Sequence, residues 1–120
     1  MAGRAQTIVV GYDGSERAKR ALDRAAELIG YGTSLAVVHV VPSSGNSNGD
    51  RRLDEARIRL NERLLSAQTV KRFGDPTEEL IRAAQELRAD LLVIGDAEKG
   101  PGSVGARLIH EAPCDVLVVK

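Results

Sequence analysis

The chain of 120 residues has the length of one domain, spanning 1–120, and can bury a core without disulfides or metals. Lys plus Arg and Asp plus Glu stand at 17 each, so the formal net charge is zero. That removes the basic excess a nucleic-acid backbone or an acidic membrane surface asks for. Cys114 is the only cysteine, no apolar run approaches membrane-spanning length, and the opening MAGRAQ lacks a signal-peptide pattern. The expectation is a cytoplasmic protein.

Hydrophobic residues make up 42% of the chain and aromatics 2%, so the core is aliphatic. Thr7 to Val10 is a short β-branched run, closed by the turn Gly11-Tyr12-Asp13-Gly14-Ser15. Ser15 is an N-cap for a helix whose apolar stripe is Ala18, Ala21, Leu22, Ala25, Ala26 and Ile29, stopped by Gly30 and Gly32. Leu35 to Val41 is apolar nearly throughout, as in a strand buried on both faces. A Ser-, Asn- and Gly-rich loop follows, and Asp50 is expected to cap a helix with Leu53, Ala56, Leu60, Leu64 and Ala67 inward.

Thr69 to Phe73 is a weaker, alternating strand. Asp75-Pro76-Thr77-Glu78 is a strong helix start, and Leu80, Ile81, Ala84 and Leu87 form that helix's buried side. Leu91 to Ile94 is the fourth strand, Ser103 to Glu111 a short helix and Val116 to Val119 the last strand. Strict β-α alternation with apolar strands gives an α/β domain with a parallel sheet, and ligands of such sheets bind at the carboxyl ends of the strands. Two loops stand there: YDGS after the first strand and GDAEKGPGS after the fourth.

His39, inside an apolar strand, reads as a satisfied core residue. His110 reads as a helix C-terminal cation, and Cys114 as small buried packing. The spacing supplies no metal-ligand set. A serine-nucleophile elbow and a lysine-bearing phosphate loop are both absent from the sequence, so turnover finds little support. A phosphorylated-aspartate receiver would need a second acid beside Asp13.

The stretches IVVGYDGSERAKRALDRAAEL, VVHVV, GDPTEELIRAAQELRADLLVIG and GSV followed by HEAPCDVLVV resemble, in order, those of the universal stress protein family. The resemblance covers essentially the whole chain. It implies a doubly wound five-stranded parallel sheet of order 3-2-1-4-5 with helices on both faces. It also implies a homodimer through the last strand, and adenine nucleotide held above the first and fourth strands. By similarity, Asp13 with Val40 or Val41 lies on the adenine side, and Gly95, Gly102, Ser103 and Val104 hold ribose and phosphate.

The family's loop places its first and last glycines thirteen positions apart. Gly95 and Gly102 are seven apart, and Glu98 stands where a glycine is expected. The phosphate loop is six residues short. Lys99 adds a positive charge there, whereas Asp96 and Glu98 repel a triphosphate unless magnesium bridges them. Three readings stay open: a regulatory module binding ATP or AMP, a member that acts only by dimerisation and an unknown protein partner, and a slow ATP hydrolase. In that sheet order Val116, Leu117, Val118 and Val119 form an edge without the charges or proline that protect edges, which invites a second copy.

Overall fold

The computed structural model of the chain describes residues 6–42, 49–96 and 104–120. β1 (Gln6–Gly11), β2 (Thr33–Val41), β3 (Gln68–Phe73), β4 (Leu91–Gly95) and β5 (Asp115–Val119) form one parallel sheet in the order β3-β2-β1-β4-β5. Every pairing is parallel, with Ile8 opposite both Leu35 and Leu91. Side chains alternate across a strand, so the sheet has two buried faces. Val10, Val37 and Val93 point to one face, where α1 (Glu16–Glu27) and α2 (Gly49–Asn61) pack. Val9, Val38 and Leu92 point to the other, against α3 (Pro76–Glu86) and α4 (Val104–Glu111). These six side chains are sealed from solvent, and each contributes roughly 1.5–3 kcal/mol of burial free energy.

The helix starts follow the expected chemistry. The Ser15 hydroxyl accepts from the Ala18 N–H at 3.1 Å, and the Asp75 carboxylate accepts from the Glu78 N–H at 3.0 Å, with Pro76 at the first position of α3. In α1, Ala18, Ala21, Leu22, Ala25 and Ala26 are buried and Ile29 packs at their edge. The expected stop at Gly30 and Gly32 comes earlier, because Leu28 closes the helix; Gly32 instead supplies a positive φ of 84° ahead of β2.

Two expectations for α2 are corrected. Asp50 lies inside its first turn rather than at the cap, and its carboxylate meets the Lys71 ammonium at 3.0 Å. Leu64 does not continue the inner face: the helix has ended, Leu64 takes φ 59° and is 95% exposed. The Leu65 N–H reaches back to the Leu60 carbonyl and the Leu64 N–H to Asn61, a helix stop that normally uses glycine. Leu65 turns in against the core in place of Leu64, and Ala67 is half-buried beyond the helix end. Arg88 ends α3 in the same left-handed conformation.

In α3 the buried side includes Leu80 and Ala84 as expected, with Ile81 and Leu87 only partly covered; Thr77, Glu79 and Ala83 complete it. Glu79 is tolerated in that position because Arg72 and Arg82 hold its carboxylate at 3.0 and 2.9 Å.

Candidate functional site

β1 and β4 are neighbours, yet the chain leaves them toward opposite faces, into α1 and α4. The crevice between those exits is where a doubly wound sheet receives ligands. A cavity of about 440 Å³ opens there, within the range of small-molecule sites.

One wall comes from the exits of β1 and β2. The Tyr12 N–H donates to the Val38 carbonyl at 2.9 Å, and the His39 Nδ1 donates to the Tyr12 carbonyl at 2.8 Å. That contact places the imidazole as the sequence suggested, buried and satisfied. The Tyr12 ring is 3% exposed; burial, with the Glu55 carboxylate adding to it, pushes the phenol above its ordinary value. Beyond this floor Val40, Val41 and Pro42 give the cavity an apolar side.

Asp13 stands exposed at the rim, one carboxylate oxygen accepting from the Ser15 N–H at 2.9 Å. This short bond makes the YDGS stretch a turn in its own right, with Gly14 at φ 83°.

The opposite wall comes from Ile94 and Gly95 at the end of β4 and from Val104 and Gly105 at the start of α4. Gly95 is constrained by packing. A Cβ there would stand 2.6 Å from the Arg17 carbonyl carbon and 2.9 Å from the Ala18 nitrogen, so the strand end and the first turn of α1 meet backbone to backbone. Arg17 closes this junction by donating to the Asp96 carbonyl, and the Asp96 N–H donates to Val119. Lys99, Gly102 and Ser103 lie outside the described residues, as does Glu98.

The structure therefore brings Asp13, Val40, Val41, Gly95 and Val104 around one cavity. It adds residues that the sequence analysis does not assign to the site. Pro76 and Leu80 approach from α3, and Arg52 from α2. Arg52 sits one residue before the inward Leu53, and nothing in the local pattern distinguishes it from the other arginines of α2. Only the packing of α2 beside the β1 exit brings it to the cavity. Cys114, on the far side of the sheet, is half-buried, and burial raises its thiol above the ordinary range. Among the described residues, no cluster of three or more His, Cys, Asp or Glu could hold a metal ion, and no helix is long and apolar enough to cross a membrane.

The model of the universal stress protein family matches residues 4–120. The chain belongs to the universal stress protein family. A universal stress protein of Thermus aquaticus is 34% identical over an alignment of 140 residues that covers 96% of this chain and 98% of that protein. The alignment is longer than the chain, so the relative carries residues that this universal stress protein lacks. A universal stress protein structure from Burkholderia pseudomallei is 32% identical with a TM-score of 0.77, covering 95% of each chain. A universal stress protein solved in complex with cAMP is 28% identical with a TM-score of 0.79, covering 98% of this chain and 99% of that one.

Proposed function

We infer that this universal stress protein is a one-domain cytoplasmic stress-response module that binds an adenine nucleotide without turning it over. The observation that carries this reading is the cavity of about 440 Å³ with Asp13, Val40 and Val41 on one side and Gly95 and Val104 on the other. An apolar slot beside a carboxylate suits a purine, whose ring is buried and whose amino group needs an acceptor. The relative solved with cAMP binds a nucleotide of this class on the same fold. Amides at the start of α4 attract an anion.

The shortened loop restricts the phosphate chain. With six residues fewer between Gly95 and Gly102, the wall that would surround a triphosphate is cut back, so the fit is to a nucleotide with one phosphate, AMP in the first place. ATP with magnesium gains little more. Calorimetric titration with adenosine, AMP and Mg-ATP tests this. Binding of adenosine and AMP with no further tightening by ATP is expected; a wild type that binds none of the three removes the reading.

One observation favours a second reading. Asp13 and Gly95 each have a structural duty that holds without ligand, the first in a turn and the second in a backbone contact. On that reading the protein acts through a homodimer and a further protein partner. Val116 to Val119, half-buried on the outer strand of the sheet, offer the edge for a second copy in either case.

A further inference from the structure

We propose that Arg52 is a specificity-determining residue of this cavity, its planar guanidinium packing against the face of the bound purine. The inference rests on the adenine-nucleotide reading above and names a contact that reading does not require. Three observations place the side chain. Arg52, on α2, lines the cavity and stands against Gly14, the neighbour of Asp13, whereas Val104 and Gly105 line it from α4, whose Leu108 packs in the other core cluster. Its Cδ, Nη1 and Cζ all lie 2.7–2.8 Å from the point a Cβ on Gly14 would occupy, so the guanidinium rests in the notch that the missing side chain leaves. Its Nη1 donates to both carboxylate oxygens of Glu55, each at 3.2 Å, which fixes the fork without enclosing it.

That seat determines the chemistry. A guanidinium is planar, always charged and weakly hydrated, and it stacks on π-systems, which an ammonium does not do as well. Held at the base end of the cavity, it meets the ring rather than the phosphate. Gly14 serves two ends here: it takes the positive φ the turn demands, and it leaves space for the cation beside Asp13.

The test is calorimetric titration of the wild type, Arg52→Ala and Arg52→Lys with adenosine and with AMP, with circular dichroism to confirm that each variant is folded. Arg52→Ala should weaken adenosine by roughly tenfold and AMP by the same factor, since the lost contact is to the base. Arg52→Lys should recover only part of that loss, because an ammonium keeps the charge but not the stacking plane. Unchanged adenosine affinity in Arg52→Ala overturns the proposal. So does a loss confined to AMP, which would put Arg52 on the phosphate, or full affinity in Arg52→Lys. A wild type that binds neither compound overturns the adenine-nucleotide reading itself, and that outcome is seen before any variant is made.

Discussion

The two walls of the cavity are built on different principles. The wall from β1 and β2 is a continuation of the sheet: Tyr12 is tied to Val38 and His39 by hydrogen bonds, and Val41 is buried. The wall from β4 and α4 is a junction of backbones, with Gly95 pressed on the first turn of α1 and only seven positions from Gly95 to Gly102 beyond it. The first does not depend on the length of the loop in the second, because its shaping bonds, Tyr12 to Val38 and His39 to Tyr12, do not cross that loop. On the adenine-nucleotide reading, the floor on which a base would lie is thus independent of the loop that would meet the phosphate.

Substitutions separate the two walls, and the largest effect belongs to the second. Gly95→Val would drive a branched side chain into the Arg17 backbone, and overpacking of this kind costs about 3 kcal/mol. Chemical denaturation should show that loss in the absence of any nucleotide. A stability change below about 1 kcal/mol would mean that β4 and α1 have room to part.

On the first wall, Ser15→Ala removes the hydroxyl that caps α1 and should cost about 1 kcal/mol in the same measurement. Asp13→Asn keeps an acceptor for the Ser15 N–H and should leave stability within about 0.5 kcal/mol, yet weaken adenosine binding several-fold. Equal losses of stability and binding would assign Asp13 to the turn alone.

Acid should strain the packing behind that wall. Arg59 on α2 holds the Asp23 carboxylate of α1 by two bonds, at 2.8 and 2.7 Å, and lowers its pKa below the ordinary aspartate value. A depressed folded value means that the stabilisation is complete above about pH 4 and fades as pH falls through the lowered value. Arg59→Ala should therefore flatten the acid limb of the stability profile. Tyr12 works in the opposite sense. Its raised pKa gives stability that is whole below about pH 10 and declines as pH climbs through the folded value, readable by absorbance of the phenolate.

Local chemistry made much of the fold legible in the sequence. Alternating apolar runs and helix stripes point to the α/β class, and the Ser15 and Asp75 caps appear as expected because capping is a local interaction. The order of the strands is nonlocal, and it comes from the family resemblance rather than from any pattern of spacing. Leu64 departs from the expected inner face because a leucine in the left-handed region carries no local signal; its place is fixed by Leu65 turning inward. At the site, Asp13 and Val41 are assigned by the family resemblance, at strand ends that the apolar runs make visible. Arg52 is not, since it is brought to Gly14 only when α2 packs over β2 and β3, next to the loop that leaves β1. The structural duty of Gly95 is hidden for the same reason.

The most direct measurement is calorimetry of the wild-type protein with adenosine, AMP and Mg-ATP under one set of conditions. The account predicts that adenosine binds, that AMP binds somewhat more tightly, and that the second and third phosphates add less than about 1 kcal/mol, a factor of roughly five. Mg-ATP binding a hundredfold tighter than AMP would show that the loop after β4 still encloses a triphosphate, and would contradict the reading that the cavity fits a nucleotide with one phosphate.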